Sequence, residues 1–236
     1  MIRTGIIGGS GYTGGELIRL LLGHPGAELE FVYSRTRAGK PLHHTHHDLL
    51  GRTDLCFTDQ ADPEVDVVFL CLGHGNSGTF LSQHEFSQKT RVIDLSNEFR
   101  LAVGDSMGNR EFVYGLPELN RKAIANANNI ANPGCFATAI QLALLPLASK
   151  GLLTEPVHVN AVTGSTGAGA GLSETTHFSW RDNNLSWYKP FTHQHLGEIL
   201  QSLEGLQGEK PDLLFLPLRG NFSRGIFATA YTRFDG

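Results

Sequence analysis

Short apolar segments bounded by glycine or polar residues alternate along the chain with longer segments of helical periodicity. In the first half, strands are predicted at 4–7, 29–33, 65–71 and 91–95, and a helix is predicted at 14–22. This alternation is typical of βαβ units and predicts a parallel sheet. Ligands of open sheets bind beyond the carboxyl ends of the strands. The candidate walls of a binding site are therefore the turns after Ile7, Tyr33, Cys71 and Asp94.

A second unit is predicted to begin near the turn that reads Asn132-Pro133-Gly134-Cys135. Its predicted elements are a helix at 136–147, a strand at 157–162, a helix at 196–203 and strands near 213–216 and 226–231. A glycine-rich turn follows the first of these strands, and no internal repeat interrupts the pattern. We therefore predict two domains, at 1–134 and 135–236.

Charge and composition exclude several classes of protein. The 19 Lys and Arg residues and 23 Asp and Glu residues give a formal net charge of −4, and the basic residues are scattered. The sequence therefore offers no basic stripe that would bind the phosphates of a nucleic acid. Its apolar runs are far shorter than the ~20 residues that span a membrane. We expect a small-molecule partner, no nucleic acid and no membrane. Three cysteines without a paired framework, after a start with no secretory pattern, favour a reducing cytoplasm.

Glycine is the outlier of the composition, at 28 of 236 residues, and its first cluster points to a nucleotide. Residues 9–14 form a G-x-G-x-x-G motif between a predicted strand and a predicted helix. Such glycines allow a tight turn and a close approach of the backbone to a pyrophosphate, which faces the free N–H groups of the helix. The candidate cofactor residues here are Gly8, Ser10, Gly11, Tyr12, Thr13 and Gly14. The alternative is a turn that only joins strand to helix.

The residues after the second predicted strand favour NADP over NAD. NAD sites place an Asp or Glu there for the ribose 2′-OH, whereas an Arg accommodates the 2′-phosphate of NADP. This chain offers Ser34-Arg35-Thr36-Arg37, and the acidic Glu28 and Glu30 lie earlier, on the strand itself. We predict NADP(H), with Ser34 and either Arg35 or Arg37 near the phosphate. The alternative is that both arginines belong to a solvated loop.

A cysteine at the start of an apolar helix is the candidate nucleophile. Cys135 follows Asn132-Pro133-Gly134 and precedes the predicted helix at 136–147. The positive end of the helix dipole favours the thiolate form, which is the reactive one. Cys56 and Cys71 lack that setting and are expected to fill the core. The alternative for Cys135 is quiet packing at a helix start.

A thiolate beside a nicotinamide site attacks an acyl group or an aldehyde, and hydride passes between the adduct and the cofactor. This chemistry needs a general acid/base, most often His. His195 lies at the start of the predicted helix at 196–203, and His193 is the second candidate. The alternative is a solvated pair of loop histidines.

Four histidines at 43–47 suggest a metal site, but adjacent ligands point in different directions and no cysteine lies near. We interpret this cluster as a solvated face and predict no metal.

Five segments together resemble the N-acetyl-γ-glutamyl-phosphate reductase family, which belongs to the superfamily of aspartate-semialdehyde and glyceraldehyde-phosphate dehydrogenases. They are residues 8–14, the Asp94-Leu95-Ser96 segment through Arg100, residues 114–120, residues 132–135 and His193-Gln194-His195. The resemblance implies a Rossmann-type NADP-binding α/β domain followed by an α+β catalytic domain with a mixed sheet. It also implies NADPH-dependent reduction of an N-acyl-γ-glutamyl phosphate through a cysteine thioester, in arginine biosynthesis, and a homo-oligomer, dimer or tetramer.

The resemblance also assigns roles to individual positions. Cys135 matches the family's nucleophile and His195 its acid/base. The residues implied to lie near the nicotinamide are His74, Gly75, Gly164 and Ser165. The residues implied to bind the substrate or to shape its pocket are Ser96, Arg100, Asn132, His193 and Arg224. Arg219 provides a second arginine near Arg224, and either guanidinium would hold a carboxylate or a phosphate.

Departures from the family's pattern leave two rival interpretations. Gln194, Gly197 and Ala170 replace residues common in the family, so local contacts near the two histidines are expected to differ. The family's sequences also continue past residue 236, so we expect an incomplete second domain. An aspartate-semialdehyde dehydrogenase would use the same chemistry on a shorter substrate. A catalytically silent NADP-binding fragment is the rival from another class.

Overall fold

A computed structural model describes residues 1–102, 104 and 106–234. They form two compact units, divided between Asn132 and Pro133. Within this described part of the chain, no helix is both long and apolar enough to cross a membrane.

The first unit is built on a seven-stranded parallel sheet. The strands of the unit, seven in this sheet and two in a separate pair, are β1 (Ile2–Ile7), β2 (Ala27–Tyr33), β3 (Phe57–Thr58), β4 (Val67–Leu70), β5 (Arg91–Asp94), β6 (Ser106–Met107), β7 (Arg110–Glu111), β8 (Val113–Tyr114) and β9 (Asn129–Ala131). Its helices are α1 (Tyr12–Leu22), α2 (Ser77–Gln83) and α3 (Pro117–Asn126). The order of the sheet is β3-β2-β1-β4-β5-β9-β8, and each neighbouring pair is parallel. Strands β6 and β7 form a separate antiparallel pair.

Both faces of this sheet are covered, which explains its continuous apolar strands. Ile6 and Ile7 are adjacent in β1 and both are fully buried. Because successive residues of a strand point to opposite faces, they belong to different clusters: Ile6 packs with Ile18 of α1, and Ile7 with Phe80 of α2. Helices on both sides of a parallel sheet confirm the predicted Rossmann-type architecture.

The predicted strands and first helix occur with shifted ends. Helix α1 begins at Tyr12, two residues before its predicted start, and Val65 is buried but precedes β4. Helices α2 and α3 had no predicted counterpart. The reason is clearest for α3, which has no buried residue and therefore no apolar stripe.

The second unit carries a four-stranded mixed sheet, as predicted. Its elements are α4 (Cys135–Ala148), β10 (Val157–Thr163), α5 (Phe178–Arg181), β11 (Ser186–Trp187), α6 (His195–Gln207), β12 (Leu213–Arg219) and β13 (Ile226–Tyr231). The order is β11-β12-β10-β13, with β10 parallel to β12 and antiparallel to β13. Helices α4 and α6 pack on each other.

One face of this second sheet is more open than the other. Along β10, Val157, Val159 and Ala161 are buried, whereas the alternate residues are only half-buried. On the neighbouring edge strand β13, Phe227 and Tyr231 are exposed. The unit therefore presents a partly apolar sheet face.

Candidate nucleotide site and candidate active site

The glycine-rich loop connects β1 to α1 at the carboxyl edge of the first sheet. The backbone N–H groups of Gly8 and Gly9 donate to the Tyr33 carbonyl at 3.0 and 3.1 Å, so the loop is fixed to the end of β2. Gly8 has φ +81°, a left-handed conformation that favours glycine. A Cβ atom at Gly14 would lie 2.6 Å from Gly9 Cα, so only glycine allows this packing of helix on loop.

This loop fits the pyrophosphate of a dinucleotide. No side chain caps the first turn of α1, whose N-cap is Gly11, so the helix N-terminus offers backbone donors to an anion. A Cβ atom at Gly11 would meet only the Gly8 carbonyl oxygen, at 3.6 Å. The outer side of the loop is therefore open to a close ligand, while its inner side is closed by the sheet.

The end of β2 carries the residues predicted to choose NADP. Ser34 is buried, and its hydroxyl donates to the Ser10 hydroxyl at 3.1 Å, which places it against the glycine-rich loop. Arg35 and Arg37 follow as exposed residues. Glu30 lies within β2 as predicted, and its carboxylate accepts from Arg3. The Glu30 carboxylate is therefore held away from the end of the strand.

One member of the histidine cluster, His46, corrects our interpretation of a solvated face, whereas His44 and His47 are exposed as expected. His46 is only 7% exposed, and its Nε2 donates to the Gly9 carbonyl at 2.8 Å. The ring fits against Gly15, where a Cβ atom would lie 2.7 Å from His46 Nδ1. His46 thus supports the glycine-rich loop from the side of α1. In the described part of the chain, no group of three His, Cys, Asp or Glu residues is arranged to hold a metal ion.

The turns after β4 and β5 hold further candidates of the first unit. His74 and Gly75 are exposed, and Gly75 has φ +78°. Ser96 is fully buried, and its hydroxyl donates to the Asp94 carboxylate at 2.6 Å. Burial raises the pKa of Asp94. Arg100 is also buried and donates to the Leu95 carbonyl at 2.9 Å. The side chains of Ser96 and Arg100 thus form hydrogen bonds within the first unit.

Cys135 is the first residue of α4 and is exposed. Its N-cap, Gly134, provides no side-chain cap for the 14-residue helix, so the helix dipole favours a thiolate there. The other cysteines differ from it. Burial and Asp94 raise the pKa of Cys71 to about 12, which keeps it protonated. Cys56 is exposed, so our expectation that it fills the core is wrong: its segment runs along the surface beside buried Phe57.

His195 and Glu198 surround the turn that precedes Cys135. His195 is the first residue of α6 and is buried. Its ring lies so close to Gly134 that a Cβ atom there would overlap Nε2. Glu198 is also buried; it accepts from the Gly134 N–H at 2.8 Å and lies 4.0 Å from His195 Nε2. Glu198 was not predicted from the sequence, although its i,i+3 spacing from His195 places both on one helix face.

His193 lies beside His195 in the same aromatic cluster. The His195 N–H donates to His193 Nδ1 at 3.2 Å, and the two rings are 4.6 Å apart. The rings of Phe136 and Phe215 pack on His193 at 5.3 and 5.6 Å. Burial, His195 and Lys189 lower the pKa of His193 to about 4. His193 is therefore neutral at neutral pH.

Tyr188 joins this cluster from the other side. Its ring lies 5.5 Å from that of His193, and the guanidinium of Arg219 stacks on it at 3.9 Å. Burial and the charge of Cys135 raise the pKa of Tyr188 to about 12. No local pattern in the sequence marks Tyr188, because its neighbours come from other segments. Cys135, His195, His193 and Tyr188 are thus brought together within the second unit.

The glycine-rich loop at 164–169 is fixed to the segment before β13. The Ser165 N–H donates to the Phe222 carbonyl at 2.8 Å, and a Cβ atom at Gly164 would lie 2.6 Å from the Ser223 carbonyl oxygen. Arg224 is exposed in that same segment. Asn132, the last residue of the first unit, is exposed and donates its N–H to the Asp94 carbonyl.

Two family models match the chain. Residues 3–127 match the NAD binding domain of semialdehyde dehydrogenase, and residues 135–236 match its dimerisation domain. Among curated proteins, the chain is 61% identical to the N-acetyl-gamma-glutamyl-phosphate reductase of Christiangramia forsetii over 100% of its length and 73% of that protein. It is 61% identical to the corresponding protein of Flavobacterium johnsoniae, with the same coverage.

Solved structures show the same fold at low identity. Aspartate semialdehyde dehydrogenase II of Vibrio cholerae superposes with a TM-score of 0.70 at 18% identity, over 97% of this chain and 73% of that one. The Candida albicans aspartate semialdehyde dehydrogenase with NADP superposes with a TM-score of 0.68 at 15% identity, over 100% and 72%.

Proposed function

Because the chain belongs to the N-acetyl-gamma-glutamyl-phosphate reductases of the semialdehyde dehydrogenase family, we propose that it reduces an N-acyl-γ-glutamyl phosphate to the 5-semialdehyde, releasing phosphate, in arginine biosynthesis. The observation that carries this proposal is the position of Cys135. It begins an uncapped helix and follows a glycine on which the ring of His195 is packed. A nucleophile and a proton carrier thus share one turn.

Cys135 acts as the nucleophile. Its thiolate attacks the acyl carbon, the carbon–oxygen bond to phosphate breaks, and phosphate leaves with the electron pair. The product of this half-reaction is a thioester on Cys135. The N-terminus of α4 favours both the thiolate and the oxyanion that forms on the acyl oxygen.

Bound NADPH supplies the hydride that reduces an acyl thioester to the aldehyde level. His195 accepts the thiol proton before attack and protonates the oxygen of the reduced adduct. When the carbon–sulfur bond breaks, the hydroxyl proton returns to His195, Cys135 leaves as a thiolate with the electron pair of the bond, and the aldehyde is released. Glu198 holds the Gly134 turn and lies beside His195, so it supports the ring in its charged form.

The cofactor we propose is NADP(H). The pyrophosphate would be held by the loop of Gly8, Ser10, Gly11, Tyr12, Thr13 and Gly14, and the 2′-phosphate by Ser34 with Arg35 or Arg37. The support for NADP is Ser34, which follows β2 and bonds to Ser10 of the glycine-rich loop; two exposed arginines and no carboxylate come next in the sequence. The nicotinamide side would be formed by His74, Gly75, Gly164 and Ser165.

The proposed substrate residues are Asn132, His193 and Arg224, with Ser96 and Arg100. Since the Ser96 hydroxyl is buried against Asp94, we propose that it shapes the pocket and does not bind directly. Neutral His193 supports His195, because its Nδ1 accepts a hydrogen bond from the backbone N–H of His195. We also propose that the protein is cytoplasmic and forms a homo-oligomer, dimer or tetramer. The open sheet face with Phe227 and Tyr231 supports an oligomer.

The test is NADPH oxidation by the 236-residue chain with three acyl phosphates: N-acetylglutamyl, N-succinylglutamyl and aspartyl phosphate. We expect turnover with an N-acylglutamyl phosphate and none with aspartyl phosphate. Preference for aspartyl phosphate would favour an aspartate-semialdehyde dehydrogenase, whose fold this chain shares. NADPH binding with no turnover and no adduct on Cys135 would instead indicate a silent nucleotide-binding protein.

A further inference from the structure

Two arginines of the second unit lie side by side near Tyr188. Arg219 ends β12, and its guanidinium lies 3.9 Å from the centre of the Tyr188 ring. Arg181 ends α5 and is only 8% exposed; its Nη1 donates to the carbonyl of Gly220, the residue after Arg219, at 3.2 Å. The two side chains come from different elements and lie close enough for the charge of Arg219 to act on Arg181.

In the described part of the chain, no carboxylate balances the positive charge at this place. No Asp or Glu oxygen there forms an ion pair with either guanidinium, and Arg181 Nε is buried without a hydrogen-bond partner. Burial and the neighbouring Arg219 lower the pKa of Arg181, but an arginine stays protonated at neutral pH. A buried cation beside a second cation is unfavourable unless an anion joins them.

Arg181 lines a pocket, and Arg219 lies on Tyr188 near the nucleophile. A pocket of about 360 Å³ is lined by Arg181, Ser165 and Asn221, among others. Asp182 also lines it, but its side chain is exposed and does not pair with Arg181. Tyr188, which carries Arg219 on its face, is close enough to Cys135 for the thiolate's charge to act on it. An anion held by the arginines would thus lie in the region of the reacting cysteine.

We propose that Arg181 and Arg219 form a binding site for an oxyanion of the substrate, either a carboxylate of the N-acylglutamyl part or the phosphoryl group. Two guanidinium groups present paired N–H donors that match the two oxygens of such groups. The inference rests on the proposed function, since it assigns a substrate group to residues that neither the family motif nor the nucleophile explains. It also adds Arg181 to the arginines considered from sequence alone.

The experiment follows the protection of Cys135 from iodoacetamide, which needs no turnover. Protection is titrated with N-acetyl-L-glutamate, which carries carboxylates and no phosphate, and separately with inorganic phosphate. We expect Arg219→Gln to raise the half-protecting concentration about tenfold or more, the loss of about one charge-assisted hydrogen bond. Arg219→Lys should give an intermediate value, because it keeps the charge and loses the paired donors. The ligand whose protection depends on the arginines identifies the group that is bound.

The matched control is Arg233→Gln, which removes an exposed charge from the same unit. In this variant, the anions should protect Cys135 at the same half-protecting concentration as in the parent chain. Arg181→Gln should match Arg219→Gln, and an unchanged melting temperature and NADPH affinity would show that each variant folds. Should Arg181→Gln fail to fold, Arg219→Gln alone decides. Equal protection in Arg219→Gln and the parent, or no protection of the parent by either anion, would overturn the site. Arginine-dependent protection in a chain without reductase turnover would instead overturn the proposed function alone.

Discussion

The glycine-rich loop of the first unit presents backbone N–H groups, whereas the second unit gathers buried side chains around Cys135. In the first unit, no side chain caps α1, and side chains such as His46 hold the loop from behind. In the second unit, His195 and Glu198 contact the turn that carries the cysteine. A backbone site depends on shape and on the absence of Cβ atoms, while a side-chain site depends on charge and proton state. Substitutions should therefore affect the backbone site and the side-chain site independently.

The largest expected effect is confined to the second unit. Cys135→Ser replaces the thiolate with a weak nucleophile, and we expect kcat to fall by about 10³-fold or more. The affinity for NADPH, measured by fluorescence titration, should stay unchanged, because the backbone site does not use this residue. Near-normal NADPH oxidation by Cys135→Ser would contradict the assignment.

The matching change in the first unit is Gly14→Ala, with Gly11→Ala as its control. The new Cβ at residue 14 would overlap Gly9, whereas at residue 11 it meets only one atom, at 3.6 Å. Gly14→Ala should lower the melting temperature by several degrees, as overpacking by about 1–3 kcal/mol does. Gly11→Ala should leave stability unchanged and weaken NADPH binding by narrowing the approach to the pyrophosphate. Equal stability of the two variants would show that the loop does not pack as described.

Glu198 tests whether the turn before Cys135 needs a buried acceptor. Glu198→Ala leaves the buried Gly134 N–H without its partner, at a cost of about 1–3 kcal/mol of unfolding free energy. We expect kcat/KM to fall about 10–100-fold by misplacement of Cys135 and His195. Glu198→Gln keeps an acceptor and should recover most of the stability but less of the activity. Denaturant unfolding and steady-state kinetics measure the two effects, and wild-type values for both variants would remove Glu198 from the account.

The neutral state of His193 predicts a pH dependence of stability. Because its folded pKa, about 4, lies below the ordinary value of about 6.5, the unfolded chain binds the proton more readily. Stability from this residue is present above about pH 6.5, falls as the pH decreases toward 4, and amounts to roughly 3 kcal/mol at most. His193→Asn should flatten the unfolding free energy across that window relative to the parent. A slope identical to the parent's would contradict the burial of a neutral ring.

The smallest effect belongs to His46. His46→Leu removes the hydrogen bond to the Gly9 carbonyl and should raise the Kd for NADPH about fivefold, the value of one neutral hydrogen bond near 1 kcal/mol. His46→Gln keeps a donor and should restore much of the affinity. Neither should change the rate of Cys135 alkylation. If the two variants bind NADPH equally, the ring does not position the loop.

Apart from the short strands β3, β6 to β9 and β11, local patterns predicted the strands, together with α1, α4, α6 and the two turns that carry Gly11 and Cys135. They succeeded because buried parallel strands are continuously apolar and because glycine marks close approaches. They failed where the partner is distant in sequence. His46 is buried by Gly9 and Gly15, 37 and 31 residues earlier in the numbering. The acceptor role of Glu198 depends on Gly134, 64 residues away.

The most direct test of the central claim is the intact mass of the chain after exposure to N-acetyl-glutamyl phosphate without NADPH. We expect one acyl group on Cys135, located by peptide mapping. It should be absent from Cys135→Ser and released when NADPH is added. Cys56, although exposed, and Cys71, whose pKa is raised to about 12 by burial, should carry none. An unmodified chain that still oxidises NADPH with this substrate, or an acyl group on another residue, would contradict it.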